Sequence, residues 1–180
     1  AAALGIGTSS LSSFHFEVDG GTGDGVKIKA GNTSNDDSFL VANSSNNTLF
    51  LVDGGGSVGI GESSPLGKLH VKEGDSGQGS VNSNFDQLVL ESNAHSGMTI
   101  LSGTSSDGAI YFGDSGGNSR GQLKYQHGSD QFVFVTADGS NALVINSGGI
   151  LGIGNSSPSN GSLCVAGVLA LDPGGPVAID

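Results

Sequence analysis

The amino-acid sequence predicts an all-β fold, and three observations predict it. Gly accounts for 33 of the 180 residues, and Trp is absent. Short apolar stretches alternate with turns rich in Gly, Ser, Asn and Thr, and the glycines follow no Gly-X-Y period. Few segments place apolar residues at the i, i+3, i+4 spacing of an amphipathic helix. Short strands joined by polar turns are the structure that this pattern favours.

One short motif recurs three times and organises the rest of the chain. Its middle copy, residues 58–65, reads VGIGESSP, and the alternating residues Leu69, His70 and Val71 follow it. A related copy at 4–10 opens the chain, and a copy at 151–158 is followed by the apolar residues 163–165. The positions that define the motif are Gly5, Ile6, Gly7, Gly59, Ile60, Gly61, Pro65, Gly152, Ile153, Gly154 and Pro158.

Each part of the motif has a mechanical interpretation. Its two glycines suit a backbone that passes close to another group or takes φ values closed to other residues. The Ile between them is the one large side chain, free to point into a core. Ser-Ser-Pro ends the strand, because proline has no N–H to donate and fixes its own φ. The motif therefore predicts a short strand, a tight corner and a new strand, which is a structural hinge and not a chemical site.

The repeat divides the chain into modules at 1–57, 58–150 and 151–180, and the last is expected to continue beyond this sequence. Period-two alternation predicts strands in the first module at 14–18 and 26–29, and continuous apolar runs predict strands at 39–41 and 49–52. In the second module strands are predicted at 87–90, 98–101, 109–113, 122–125, 131–135 and 142–145. The aromatic residues gather in the second module, so we expect the best core there.

The apolar segments are too short to make a convincing core for one copy alone. Burial contributes about 25 cal/mol per Å², whereas ordering each residue costs about 1–2 kcal/mol. Glycine adds to that cost because it loses the most conformational entropy on folding. Several copies wound together would share one core and cover each other's strand edges. We therefore expect an obligate oligomer.

The formal net charge of −11 argues against binding to nucleic acid, which needs a basic footprint, and against anionic membranes. This excess of acidic residues favours the solubility of an extended, solvent-exposed protein. The alternative interpretation is that acidic loops bind a cation. The single cysteine, Cys164, allows no internal disulfide and is expected to be a buried thiol. The sequence carries no apolar run long enough to span a membrane and no signal peptide.

Several motifs resemble chemical sites but lack the partners that the chemistry needs. Residues 113–117 read GDSGG, the nucleophile loop of chymotrypsin-like proteases, yet His95 lies in no matching base motif, so a turn is predicted. Residues 19–25 fall one residue short of a calcium loop, and a plain turn is favoured. Most acids lie in turns, which disfavours a glycosidase pair. The histidines are dispersed, so no metal, cofactor or catalytic residue is predicted: His15, His70, His95 and His127.

The motif and its surroundings resemble the shaft and head modules of tail fibres from tailed bacteriophages, especially those of marine and cyanobacterial hosts. Residues 58–65 with 68–71 carry the resemblance most clearly. The stretch from 88 to 154 is also similar to that family, as is the strand pair at 37–41 and 49–52. The resemblance covers most of the chain.

The resemblance implies an elongated, intertwined parallel homotrimer, with a shaft like a β-prism or triple β-helix and short meandering β modules. Ile6, Ile60 and Ile153 would then lie at or near the shared axis. It also implies a non-catalytic segment of the virion tail fibre, which works beside other fibre proteins and attaches to host glycan or protein without membrane insertion. The alternatives are a bacterial extracellular filament or surface adhesin, and a glycan-degrading enzyme like a tailspike.

Overall fold

The computed structural model describes residues 28–29, 31–136 and 139–167. Several predictions fall outside these residues. They are the first motif copy with Gly5, Ile6 and Gly7, the strand at 14–18, the turn at 19–25 and the stretch after 167.

Within the described residues the fold contains strands and no helix, which confirms the all-β prediction. The predicted strands at 39–41 and 49–52 correspond to β1 and β2, and five of the six predicted for the second module correspond to β5 to β9. In chain order the strands are β1 (Asp37–Ala42), β2 (Thr48–Asp53), β3 (Val58–Ile60), β4 (Leu69–Lys72), β5 (Leu88–Glu91), β6 (Asp107–Asp114), β7 (Gly117–Gln126), β8 (Gln131–Thr136), β9 (Ser140–Ile145), β10 (Leu151–Ile153) and β11 (Leu163–Val165).

The chain forms two compact units that divide after Gly97. The first unit holds a five-stranded sheet in the order β1-β2-β3-β4-β5. The second holds a six-stranded sheet in the order β11-β10-β9-β8-β7-β6. Both sheets are mixed, because β3–β4, β4–β5 and β10–β11 pair in parallel and the other pairs are antiparallel. Strand β3, just beyond residue 57, pairs with β2, so the first sheet extends across that predicted module boundary.

The predicted strand at 98–101 is wrong for the single chain, since these residues belong to no strand. Their side chains favour extended structure, but strand propensity is realised only against a partner edge. The segment instead leads into a turn closed by the hydrogen bond from Ser106 N–H to the Gly103 carbonyl, 2.8 Å long. Ile28 and Lys29, the described half of the predicted strand 26–29, also form no strand.

The core of the described residues is small, and it is aliphatic. Leu51 is buried in the first unit, and Val133, Val135 and Val144 form the buried cluster of the second. The second unit thus contains the larger core, but the expectation that its aromatic residues build that core is wrong. Among them Tyr111, Phe112, Phe132 and Phe134 are exposed. The cause is the pleat: Phe132 and Phe134 alternate with Val133 and Val135 and point to the other face.

Candidate functional site

The two described motif copies occupy equivalent places in the two sheets. Each contributes a three-residue strand, β3 or β10, that pairs antiparallel with the strand before it and parallel with the strand after it. Both central glycines, Gly59 and Gly152, are buried. The predicted sequence of short strand, corner and new strand is present in both copies.

The corner after β3 folds back onto its own strand. A Cβ atom on Gly59 would collide with the carbonyl oxygen of Glu62 and would lie 3.2 Å from Cγ of Pro65. Gly61 has a φ of +72°, a left-handed conformation that favours glycine, and its N–H donates to the Leu49 carbonyl at 3.0 Å. Both glycines of this copy are therefore required by the backbone path, one by close approach and the other by its dihedral.

The corner after β10 repeats this geometry. A Cβ atom on Gly152 would lie 2.5 Å from the carbonyl oxygen of Asn155 and 3.1 Å from Cγ of Pro158. Gly154 has a φ of +65°, and its N–H donates to the Ala142 carbonyl at 3.0 Å. The same corner geometry therefore forms in both described copies, although the two copies share only part of their sequence.

Side-chain oxygens hold the turn before each motif strand. Asp53 Oδ1 accepts the Ser57 N–H at 2.7 Å, and Asn146 Oδ1 accepts the Ile150 N–H at 2.9 Å. Asn146 also donates its amide to the Pro158 carbonyl at 2.8 Å, which ties the turn to the corner. These contacts satisfy backbone donors that the strand ladders leave unpaired.

Each corner lies against one face of its sheet, and it covers only that face. Leu51 is directly opposite Gly59, and Val144 is directly opposite Gly152. Both apolar side chains are buried, with exposed fractions of 1% and 0%. Ile60 and Ile153 point to the opposite face because successive strand residues alternate, and each is 42% exposed.

The opposite face of the first sheet is apolar on every strand. The strand registers align its residues across the sheet, and the rings of Phe39 and Phe50 meet edge to face with centroids 6.0 Å apart. No residue of this face is fully buried within the described part of the chain. We name it the first open face; its residues are Phe39, Val41, Phe50, Val52, Val58, Ile60, Leu69, Val71, Leu88 and Leu90.

The second sheet has a corresponding face that is also apolar on all six strands. Phe132 and Phe134 lie at its centre, and Tyr125 meets Phe132 edge to face with centroids 4.8 Å apart. We name it the second open face; its residues are Ile110, Phe112, Leu123, Tyr125, Phe132, Phe134, Leu143, Ile145, Leu151, Ile153, Leu163 and Val165.

A buried polar cluster lies on the covered face of the first sheet. His70 is opposite Gly59 in the parallel β3–β4 pair and is 0% exposed. Its Nδ1 accepts the Leu66 N–H at 3.2 Å, and its Nε2 lies 2.9 Å from Glu91 Oε2. The Nε2–Oε2 contact has poor hydrogen-bond geometry, and neither atom has a hydrogen-bond partner among the described residues.

Two glutamates and a lysine complete this cluster. Lys72 Nζ lies 2.8 Å from Glu62 Oε2 and 3.6 Å from Glu91 Oε2. Glu91 Oε1 accepts both the backbone N–H and the hydroxyl of Ser76, at 2.7 and 2.8 Å. We name Glu62, His70, Lys72 and Glu91 the corner cluster, because it joins the corner to β4, β5 and the loop after β4.

The corner cluster keeps its carboxylates ionised. The backbone and side-chain hydrogen bonds from Ser76, followed by the charge of Lys72, outweigh the opposing effect of burial and lower the pKa of Glu91 to about 2. Burial acts to raise the pKa of Glu62, but hydrogen bonds from Lys72 and the Ser64 N–H outweigh it, and the pKa is lowered. The hydrogen bond to Glu62 raises the pKa of Lys72.

The corner cluster has the residue types of a metal site, but its hydrogen bonds do not fit one. Glu62, His70 and Glu91 offer ligand atoms within 4.8 Å of one another. However, His70 Nδ1 accepts a backbone N–H, so the proton of the neutral imidazole is assigned to Nε2, which then has no lone pair for a metal. The Lys72 ammonium already pairs with the carboxylates. This geometry favours a closed ion-pair cluster.

Glu62, Lys72 and Glu91 are the residues that sequence reasoning missed. His70, for which the sequence predicted no chemical role, lies on strand β4 and faces the covered side of the sheet. The period-two alternation of residues 69–72 already separates His70 and Lys72 from the apolar positions. The proximity of Glu91 depends on the parallel β4–β5 register, in which Lys72 is opposite Glu91, and no local pattern predicts that register.

Two further predicted residues can be placed. Ser115 lies in the two-residue turn between β6 and β7, where Asp114 Oδ1 accepts the Gly116 N–H at 2.8 Å. The turn predicted for residues 113–117 is thus confirmed. Cys164 is half-buried and not buried as expected. It occupies the position equivalent to His70, opposite Gly152, and Asn155 donates its amide to Sγ at 3.0 Å.

Comparisons with known proteins add no family to this description. A scan against protein-family models finds no match, and a search of the curated proteins finds no significant relative. Among the described residues no helix is long and apolar enough to cross a membrane. The motif, the two open faces and the corner cluster are therefore the features of the chain that bear on its function.

Proposed function

We propose that the chain is a structural and adhesive segment of a bacteriophage tail fibre, that it assembles as a parallel homotrimer, and that it performs no catalysis. The observation that carries the proposal is the pair of open faces. Each is built from large apolar side chains on every strand of its sheet, and each remains solvent-accessible in the single chain. A soluble protein that exposes such a patch is expected to bury it against a partner.

The size of the second open face fits a protein–protein interface. Its exposed residues include three phenylalanines, each at least 41% exposed. If each large apolar side chain has an area on the order of 200 Å², and each contributes its exposed fraction, this face presents roughly 600 Å² of apolar surface to solvent. A standard interface buries about 800 Å² per partner, so this face supplies most of one interface.

Identical copies are the partner that the chain's own pattern favours. The motif repeats, and each described copy places its isoleucine, Ile60 or Ile153, on an open face while its corner covers the opposite face. Copies related by a threefold axis would bring these isoleucines together and bury the faces in one shared core. The glycine-rich corners then lie outside that core. This arrangement agrees with the parallel homotrimer that the motif resemblance implies.

The adhesive part of the proposal follows from multivalency. Three copies would present each surface loop three times, so weak contacts with a host glycan or protein would combine into firm attachment. The expected location is the tail fibre of the virion, beside other fibre proteins. A bacterial surface filament built from the same modules is the alternative location.

The corner cluster does not provide the carboxyl pair that the glycan-degrading alternative would need. A glycosidase needs one carboxyl group that stays protonated to act as the general acid. Glu62 and Glu91 are close to each other, but the pKa of each is lowered, so both are ionised near neutral pH. A pair of this kind stabilises a cation and does not donate a proton.

Sedimentation velocity over a wide concentration range tests the proposal. A closed trimer of the 17.7 kDa chain, with a mass that does not grow with concentration, is the expected result. A mass that increases without limit would indicate an open-ended filament and favour the bacterial alternative. A monomer at all concentrations would contradict the proposal, because the open faces would then have no partner.

A further inference from the structure

A groove in the second unit lies between the segment 98–101 and the second open face. It has a volume of about 370 Å³ and an apolar lining that includes two residues of the segment, Met98 and Ile100. Its other apolar walls come from the open face: Ile110, Leu123, Tyr125 and Phe132. The groove has room for one large apolar side chain.

Leu101, in the same segment, is 89% exposed. It cannot fill the groove of its own chain. Met98 and Ile100 line the groove, whereas Leu101 is not among its lining residues and is almost fully exposed to solvent. Leu101 therefore faces away from its own groove, towards whatever lies beside the chain.

We propose that Leu101 of one copy inserts into the groove of the neighbouring copy. The inference rests on the proposed homotrimer, in which each copy would supply one projecting leucine and one groove. A contact between two different surfaces closes into a ring when the copies are related by a rotation axis. It also continues the interface of the second open face, since four of the groove residues belong to that face.

The occupant is identified by complementary shape and chemistry. The groove is lined mainly by apolar side chains, with Lys124 and His127 as its polar members. An aliphatic side chain matches it better than a charged one would. Moving an otherwise exposed leucine side chain from water into an apolar groove is expected to favour assembly. The contact would also bury apolar side chains that the single chain leaves outside its sheet.

Disulfide trapping tests the contact. In a Cys164→Ser background, the pair Leu101→Cys and Ile110→Cys is expected to give dimers and trimers on a denaturing gel after oxidation, because each bond joins two copies. Leu101→Cys alone should give no such ladder. If Leu101→Cys alone forms dimers efficiently, the leucines meet one another and the proposal is wrong. If the double variant stays a single chain on the gel, the proposal is also wrong.

A second variant separates this contact from trimer formation itself. Leu101→Asp is expected to raise the concentration at which the assembly dissociates by at least about tenfold. The matched control is Phe85→Asp, since Phe85 is 79% exposed and lies on no strand. If the unmodified chain is a trimer and the Leu101→Asp variant assembles equally well, the groove contact is wrong and the proposed homotrimer stands. An unmodified chain that is a monomer overturns the proposed function as well.

Discussion

The ring of Pro65 stands so close to Gly59 that a Cβ atom on the glycine would lie 3.2 Å from the proline Cγ. Pro158 stands in the same relation to Gly152, at 3.1 Å. The Ser-Ser-Pro corner therefore does more than end the strand. It folds back over the central glycine and covers one face of the sheet, whereas the other face stays solvent-accessible in the single chain.

Gly59→Ala is expected to destabilise the first unit by about 1–3 kcal/mol, because the added methyl group overpacks the corner. The added methyl group would meet the carbonyl oxygen of Glu62, which belongs to the backbone and cannot move aside without shifting the corner. Thermal unfolding measures the effect. The matched control is Gly79→Ala, since an added Cβ at Gly79 would meet nothing within 4 Å. Equal stability of the two variants would show that the corner does not pack as described.

Ile60→Asp is expected to prevent assembly while the single chain stays folded. Ile60 is 42% exposed in the single chain, so the substitution removes little burial there. In a trimer it would place three carboxylates near one axis, where like charges repel. Light scattering reports the mass. Ser63→Asp, in the exposed part of the corner, is the control and should assemble normally. An Ile60→Asp variant that forms a trimer of unchanged melting temperature would show that this position is not at a shared core.

The stability contributed by Glu91 should disappear in acid. Its pKa is lowered to about 2 in the folded chain, so the contribution is fully present above the ordinary glutamate pKa of about 4.3 and is lost as the pH falls towards 2. The melting temperature of the wild type should exceed that of Glu91→Gln at pH 6, and the two should converge near pH 2. Glu73→Gln, an exposed neighbour, should behave like the wild type throughout. A constant difference between wild type and Glu91→Gln would exclude this proton linkage.

His70→Leu is expected to destabilise the first unit by about 1–3 kcal/mol, because the partly buried Leu66 N–H loses its acceptor. Cys164→Ala, at the equivalent but half-buried position of the second unit, should have a smaller effect. Thermal unfolding of both variants makes the comparison. Addition of Zn²⁺ should leave the wild-type melting temperature unchanged, and a rise that His70→Leu abolishes would identify the corner cluster as a metal site instead.

Local sequence pattern predicted the all-β class, most strand positions and the corner, since each depends on neighbours along the chain. The alternation of Val133 and Val135 with Phe132 and Phe134 places the two pairs on opposite faces of β8. It could not predict which face a single chain would cover, because that choice is made by Pro158 and the corner, which return from later in the sequence. The aliphatic face is the covered one.

The parts that sequence reasoning missed depend on long-range register or on other copies. Glu91 meets His70 and Lys72 only because β4 and β5 pair in parallel with one particular alignment. The segment 98–101 has the side chains of a strand but no edge beside it in the single chain. Under the proposed assembly its apolar residues would contact a neighbouring copy, and an interface of that kind is not visible in local periodicity.

The central claim is that the two open faces are covered in solution, and hydroxyl-radical footprinting of side chains tests it most directly. Phe39 on the first open face and Phe112 and Phe134 on the second are all at least 41% exposed in the single chain, and Phe85 is 79% exposed. We expect the three face residues to be protected in the wild type while Phe85 is labelled, and to become labelled in a variant that cannot assemble. Labelling of the face residues in the wild type, in proportion to their exposure in the single chain, would contradict the account.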